Sequence, residues 1–192
     1  MQENKELREA WDFVEHTGTS IFLTGKAGTG KTTFLRNVVE HSTKRLIVVA
    51  PTGVAAINAG GVTIHSFFQL PLTPYVPGAS IRERYDFSKD KRRIIASLDM
   101  LVIDEISMVR ADLLDAVDFV LRRYRDPSQP FGGVQLLMIG DLQQLTPVIR
   151  PEEERTLSQY YDTPYFFGSK ALQQVSYVTI QLTHVYRQQD ET

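Results

Sequence analysis

The sequence predicts an α/β domain with a parallel central sheet and helices on both faces of that sheet. Four short runs are apolar throughout and a fifth, 177–182, is largely so, and segments with helical spacing of apolar residues lie between them. A strand that is apolar on both sides is typical of a parallel sheet covered on both faces. The length of 192 residues, with 42% hydrophobic residues, suits one such domain and is short for two.

The same patterns assign the elements in chain order. The predicted strands are 21–23, 46–50, 100–103, 136–139 and 177–182, and the predicted helices are 4–16, 31–41 and 111–123. The proline-rich residues 70–80 and the acidic, then aromatic, residues 149–165 are predicted as two long connections. Connections of this length are more often functional than idle.

The composition argues against several classes of protein. The chain has no cysteine, which excludes disulfides and thiolate metal sites and favours an intracellular setting. Neither a membrane span nor a signal peptide is expected, since no run of eighteen apolar residues occurs and the N-terminus is charged. With a net charge of −2, any contact with nucleic-acid phosphates must come from a local site.

Residues 25–32, GKAGTGKT, match the phosphate-loop pattern G-x-x-x-x-G-K-[ST] between a predicted strand and a predicted helix. The glycines allow the backbone to approach closely, so that N–H groups and the helix N-terminus can hold phosphates. Lys31 is expected to reach the β and γ phosphates, and the Thr32 hydroxyl to ligate Mg²⁺. The predicted nucleotide contacts are Gly25, Ala27, Gly28, Thr29, Gly30, Lys31, Thr32 and Thr33.

Acidic and amide side chains follow the third and fourth predicted strands. Asp104 and Glu105 come directly after residues 100–103, at the sheet edge where ligands of parallel sheets bind. Asp104 is predicted to hold Mg²⁺ and Glu105 to deprotonate a water, which favours hydrolysis over group transfer. Asp141 and Gln144 follow residues 136–139, where they could sense the γ phosphate.

Two other classes of protein share this phosphate loop. A GTPase should carry an N-K-x-D motif, which is absent, and a small-molecule kinase should lack the Asp104–Glu105 pair. A nucleotide-gated binding module or scaffold partner would be expected to have lost catalytic residues. Lys31, Thr32, Asp104 and Glu105 are all present, so catalysis is the stronger interpretation.

Five motifs occur in a fixed order: GKAGTGKT, APTGVAAINAGG with TIHSF, LVIDEISM, GDLQQLTPV and LTHVYRQ. In this combination the chain, from about residue 3 to 189, resembles the first motor domain of the Pif-one/RecD branch of superfamily 1 DNA helicases. The resemblance implies a RecA-like P-loop NTPase fold over residues 1–192, with ATP and Mg²⁺ as cofactors. It also implies movement 5′ to 3′ along DNA.

The resemblance extends to further residues of the nucleotide site. Gln144 matches the glutamine of the third motif in the family, and Arg187 matches an arginine that reaches the γ phosphate. A fixed guanidinium suits that role because it stabilises charge on a transferring phosphoryl group. Gln2 corresponds to the glutamine that reads adenine. Lys31, Glu105, Gln144 and Arg187 are thus the expected catalytic set.

The resemblance also implies single-stranded and forked DNA as partners, with G-quadruplexes as a further substrate. Residues 51–68 correspond to the DNA contacts of the family, with Phe67 or Phe68 available to stack on bases, and Tyr75 and Pro77 resemble its wedge region. The predicted DNA-binding residues are Pro51, Thr52, Gly53, Asn58, His65, Ser66, Phe68 and Tyr75. Four other aromatic residues are assigned to the core or to a domain interface: Tyr160, Tyr161, Phe166 and Phe167.

The family's second RecA-like motor domain has no counterpart within these residues. Translocation requires two domains that close on ATP and open after hydrolysis. We therefore expect the chain to belong to a longer, monomeric enzyme of the cytoplasm and nucleoid, or of the nucleus or mitochondrion. By itself it is expected to bind nucleotide weakly and not to unwind DNA.

Overall fold

A computed structural model describes residues 4–78, 87–144 and 146–186. The helices are α1 Lys5–His16, α2 Lys31–His41, α3 Gly53–Ala59, α4 Ile64–Phe68, α5 Lys89–Ser97, α6 Ala111–Tyr124 and α7 Pro151–Ser158. The strands are β1 Ser20–Gly25, β2 Leu46–Ala50, β3 Val62–Thr63, β4 Met100–Ile103, β5 Gln135–Gly140 and β6 Tyr177–Leu182. Short 3-10 turns span Ile106–Met108, Pro130–Gly133, Phe166–Gly168 and Leu172–Gln174.

Within the described residues the strands form one parallel sheet in the order β3-β2-β4-β5-β1-β6. Alternate strand residues enter two separate hydrophobic clusters. Leu101 and Ile103 pack on one face with Leu114 of α6, whereas Met100 and Val102 pack on the other with Val38 of α2. Helices therefore cover both faces, which confirms the predicted fold class.

Every predicted strand and helix is present, with differences of one or two residues at some ends. The sequence interpretation left out α3, α4, α5, α7 and the two-residue strand β3. The structure corrects the prediction that residues 149–165 are only a connection, because α7 begins within them at Pro151. A proline in the first turn followed by three glutamates is favourable at a helix N-terminus.

Candidate nucleotide site and adjoining groove

The phosphate loop connects β1 to α2 at the carboxyl edge of the sheet. Gly28 and Gly30 have φ values of 79° and 98°, a region that favours glycine because a Cβ would be strained there. Gly30 is the N-cap residue of α2, and its carbonyl accepts a hydrogen bond from the amide of Phe34 at 2.9 Å. The loop thus leads directly into a helix N-terminus, which is the geometry that binds anions.

Gly25 and Thr29 give the loop its internal support. The Thr29 hydroxyl, which is buried, donates to the carbonyl of Lys26 at 2.7 Å. A Cβ on Gly25 would lie 2.5 Å from that hydroxyl oxygen and 3.0 Å from the Cβ of Leu182, so only glycine fits. The Thr29 hydroxyl is therefore engaged within the loop, and the predicted contact of Thr29 with nucleotide falls to its backbone N–H. Ala27, Thr32 and Thr33 are exposed at the loop and the first turn of α2.

Lys31 lies where the loop meets the acidic edge of the sheet. Its ammonium donates to the carbonyl of Gly25, and to that of Lys26 at 3.1 Å. Burial lowers the pKa of Lys31, while the charges of Asp141, Glu105 and Asp104 oppose that shift. The three predicted carboxylates therefore lie near enough to the predicted phosphate-binding lysine for their charges to act on it.

Asp104 and Glu105 occupy the turn that follows β4. The Asp104 amide donates to the carbonyl of Val49 at 2.9 Å, which fixes the turn to the neighbouring strand β2. Burial raises the pKa of both carboxyls, and the charge of Asp104 raises that of Glu105 further. Glu105 also has a φ of 53°, uncommon for a residue with a side chain. A carboxylate with raised proton affinity suits a general base.

Asp141 and Gln144 lie in the turn that follows β5. Asp141 is buried, and one of its carboxylate oxygens accepts from the amide of Gln143 at 2.9 Å. The Gln144 amide donates to the Asp141 carbonyl at 3.1 Å, and the residue is exposed. This turn packs tightly on the Asp104–Glu105 turn. A Cβ on Gly140 would lie only 3.0 Å from the Ile106 side chain, so there is little space between them. The two turns therefore form one continuous edge.

The segment after β6 is fastened to α1 beside the phosphate loop. The Tyr186 hydroxyl accepts from the Asn4 side chain at 3.0 Å. The amide and hydroxyl of Thr183 donate to the Glu6 carboxylate at 2.9 and 2.8 Å. Sequence reasoning missed these contacts, since their partners lie at opposite ends of the chain. The predicted residues Gln2 and Arg187 lie outside the described residues.

A groove with a volume of about 250 Å³ adjoins this edge of the sheet. Its lining is Pro51, Thr52, His65, Leu72, Met108, Arg110, Leu113, Val148, Arg150 and Glu153. Three predicted DNA-binding residues, Pro51, Thr52 and His65, are therefore brought together. Burial lowers the pKa of His65, and the charge of Arg110 lowers it further, so the imidazole is uncharged near neutral pH.

The other predicted DNA-binding residues do not line this groove. Gly53 begins α3, and Asn58 and Ser66 are exposed on α3 and α4. Phe68 is completely buried and packs edge-to-face on Phe67, so the prediction that Phe68 offers a stacking surface is wrong.

The proline-rich connection is held against the body of the domain at Tyr75. The Tyr75 ring is half-buried and lies 6.3 Å from the Phe119 ring, while its amide donates to Asp112 at 3.0 Å. The backbone amide of Tyr75 thus anchors the segment that resembles the wedge region of the family. Residues 79 and 80 of this predicted connection lie outside the described residues.

The other assigned aromatic residues divide between core and surface. Tyr161 and Phe166 are buried, as expected for the core, whereas Tyr160 and Phe167 are exposed by 39% and 42%. The Phe167 ring stacks on Tyr165 at 5.4 Å.

In the parts of the chain that the structure describes, no three acidic, histidine or cysteine side chains form a metal cage. An Mg²⁺ ion usually takes one or two carboxylates from a protein and completes its shell with phosphate and water oxygens. Asp104 beside Lys31 and the phosphate loop fits such a site. No helix in the described residues is long and apolar enough to cross a membrane.

Fold and site together define a nucleotide-binding domain of the P-loop class, with acidic residues placed beside the phosphate loop. A family model described as PIF1-like helicase matches residues 2–192. The chain belongs to this family.

Curated relatives agree with this membership. The chain is 38% identical over 183 residues to the ATP-dependent DNA helicase PIF1 of Saccharomyces cerevisiae, covering 93% of this chain and 20% of the relative. It is 39% identical over 182 residues to the human protein of the same name, covering 91% of this chain and 26% of that protein. The chain therefore spans about a fifth to a quarter of the length of these relatives.

Solved structures support the same fold. The crystal structure of Pif1 helicase from Bacteroides in complex with ADP-AlF3 and ssDNA matches with a TM-score of 0.91 and 43% identity, over 100% of this chain and 44% of that chain. The Pif1 helicase from Candida albicans matches with a TM-score of 0.79 and 31% identity, over 100% and 42% of the two chains. The RecA-like fold expected from the motifs is thereby confirmed.

Proposed function

We propose that this chain is the first motor domain of an ATP-dependent DNA helicase. One observation carries the proposal: the phosphate loop with Lys31, the Asp104–Glu105 turn and Asp141 directly follow the neighbouring parallel strands β1, β4 and β5 at one edge of the sheet. The relatives named above are ATP-dependent DNA helicases, and one related structure contains both a nucleotide and ssDNA.

Each side chain of the proposed site has a separate role in ATP hydrolysis. Lys31 binds the β and γ phosphates, and Thr32 with Asp104 holds Mg²⁺, which neutralises phosphate charge when bound. Glu105 accepts a proton from the attacking water, a role that its raised pKa supports. Gln144 contacts the γ phosphate or the water.

Two residues outside the described part complete the proposed nucleotide site. Arg187 stabilises charge on the transferring phosphoryl group, and Gln2 reads adenine. Tyr186, which precedes Arg187, bonds to Gly28 of the phosphate loop, and this supports the role of Arg187.

Single-stranded DNA is the proposed ligand of the groove that contains Thr52 and His65. A hydroxyl and an uncharged imidazole can contact phosphate or base without a strongly basic surface, which agrees with the net charge of −2. A related structure concerns DNA unwinding at forked dsDNA by two coordinating Pif1 helicases, which supports forked DNA as a substrate. Movement 5′ to 3′ and action on G-quadruplexes are further parts of the proposal.

Unwinding is proposed to need a second RecA-like domain. The matched Pif1 structures are more than twice as long as this chain. Two domains that close on ATP can convert hydrolysis into movement, whereas one cannot. We place the longer enzyme inside the cell, where it acts on DNA as a monomer. The 192 residues alone are expected to bind nucleotide weakly.

The test compares Glu105→Gln with the wild type in the full-length protein. Binding of ATP with Mg²⁺ should persist, while ssDNA-stimulated hydrolysis should fall about 10²- to 10⁴-fold, the usual contribution of a general base. Glu40→Gln, at an exposed position on α2, is the matched control and should leave hydrolysis unchanged. Full hydrolysis by Glu105→Gln, or no response of the wild type to ssDNA, would contradict the proposal.

A further inference from the structure

Arg110 joins two carboxylates from different parts of the chain at the groove. Its Nε and Nη2 atoms donate to the two oxygens of Asp112 at 2.8 and 3.0 Å. Its Nη1 atom donates to Glu153 at 2.8 Å. The three side chains are only 16%, 3% and 14% exposed, so the cluster is largely shielded from water. Charge-assisted bonds of this kind hold a fixed geometry.

Each carboxylate of this cluster fixes a different segment. The Asp112 oxygen that faces Nη2 also accepts from the amide of Tyr75 in the proline-rich connection. Glu153 lies in the first turn of α7, and the oxygen that meets Arg110 also accepts from the Arg150 amide at 3.5 Å. Arg110 thus links the Tyr75 segment to α7, which begins a few residues after Gln144.

The charges of the cluster argue against a direct role in phosphate binding. Three of the five guanidinium donors of Arg110 are already engaged. Two carboxylates face one guanidinium, so a DNA phosphate would meet a surplus of negative charge. Arg150, exposed at the rim of the same groove, is better placed for a phosphate.

We propose that Arg110 is a positioning residue that couples the turn at Gln144 to the DNA groove. When that turn responds to nucleotide, α7 moves with it, and the Glu153–Arg110–Asp112 cluster passes the displacement to the Tyr75 segment. The inference rests on the proposed function, since it assumes that nucleotide and ssDNA bind at the sites described. It assigns the cluster to coupling and not to DNA contact.

Four variants of the full-length protein test this assignment. Glu153→Gln neutralises the carboxylate that meets Arg110 and leaves the Arg110–Asp112 pair. Arg110→Lys keeps the positive charge but loses the planar, multiply donating guanidinium, and Arg110→Gln removes the charge as well. Arg45→Lys is the matched control, because Arg45 pairs with Asp99 at the opposite edge of the sheet, before β2. ATPase rates are measured with increasing oligo(dT) at several salt concentrations, and urea unfolding is recorded for each variant.

The oligo(dT) concentration for half-maximal ATPase should rise about 2- to 30-fold in the three test variants, the usual range for broken coupling. The slope of DNA affinity against salt should stay at the wild-type value, and Arg45→Lys should match the wild type throughout. A slope reduced by about one in Arg110→Gln, the variant that removes the charge, would instead make Arg110 a phosphate contact and overturn the proposal.

Two other results would also overturn it. One is that the test variants reach half-maximal ATPase activity at the same oligo(dT) concentration as Arg45→Lys. The other is equal losses of basal and stimulated rates together with lower urea stability, which would indicate a purely structural role. The failure of the proposed function would be recognised separately, because the wild type itself would then show no stimulation by oligo(dT).

Discussion

The backbone amide of Tyr186 donates a hydrogen bond to the carbonyl of Gly28 across 2.9 Å. The segment after β6 is thereby held on the phosphate loop, and the Tyr186 ring lies beside Gly30. A Cβ added to Gly30 would come within 3.4 Å of both the Tyr186 ring and the Leu7 side chain. The shape of the loop therefore depends on the two ends of the chain as well as on its own glycines.

Replacement of Gly30 by alanine should damage the nucleotide site. The φ of 98° is strained for any residue with a Cβ, and the new methyl group would meet Leu7 and Tyr186. We expect a loss of about 1–2 kcal/mol in unfolding free energy and a clear loss of nucleotide affinity. Urea unfolding and titration with a fluorescent ATP analogue measure the two effects.

Gly18→Ala is the control for this variant, since nothing lies within 4 Å of an added Cβ and its φ is not in the left-handed region. If Gly30→Ala bound nucleotide as well as Gly18→Ala, the described loop geometry would not be needed for binding.

Thr52 has both a structural role and a proposed DNA-binding role, and these can be separated. Its hydroxyl caps α3 by accepting from the Ala55 amide at 3.2 Å, and Thr63 caps α4 by accepting from Ser66 at the same distance. Both Thr52→Ala and Thr63→Ala should cost about 0.5–2 kcal/mol of stability. Since only Thr52 lines the groove, only its replacement should also weaken ssDNA binding, by about tenfold.

Fluorescence anisotropy with labelled oligo(dT) measures the difference between the two variants. Equal DNA affinities for Thr52→Ala and Thr63→Ala would remove Thr52 from the DNA site.

Glu15 should make folding stability depend on acidic pH. Its carboxylate accepts from the Ser42 hydroxyl, the Thr43 amide and the Thr43 hydroxyl at 2.6–2.9 Å. Burial raises its pKa, but these bonds dominate and lower the value from 4.5 to about 2. Because the folded state favours the charged form, the stabilisation is complete above pH 4.5 and is lost as pH falls towards 2.

Glu15→Gln should therefore be less stable than the wild type at pH 7, by on the order of 1 kcal/mol for a partly exposed group. The difference should shrink between pH 4.5 and 2, as measured by urea unfolding across that range. A difference that stayed constant down to pH 2 would show that the carboxylate charge contributes nothing.

The strands and the phosphate loop were predictable because their signals are local. Runs such as 46–50 and 100–103 are apolar throughout, and residues 25–32 contain every residue that the motif needs. The position of Asp104 at the sheet edge was predictable for the same reason, since it comes directly after a strand. Lys31, Asp104, Glu105 and Asp141 then come to the same edge because a parallel sheet brings the carboxyl ends of β1, β4 and β5 together.

What could not be predicted depends on contacts between distant residues or on weak local signals. Arg110 and Glu153 are 43 positions apart, and no pattern in either segment indicates their ion pair. The strand β3 has only two residues, too few for any periodicity. Phe67 and Phe68 lie in a motif that also contains polar residues, yet both side chains turn into the core, which only the tertiary fold decides.

The assignment of this sheet edge as the nucleotide site is tested by the binding of a non-hydrolysable ATP analogue with Mg²⁺ to Lys31→Ala. The comparison is made by calorimetry in the full-length protein, with Lys89→Ala as a control at an exposed position on α5. We expect a loss of about 10- to 100-fold in affinity for Lys31→Ala, the contribution of a bond between charged groups, and no change for Lys89→Ala. Equal affinities for the two variants would contradict the assignment of this sheet edge as the nucleotide site.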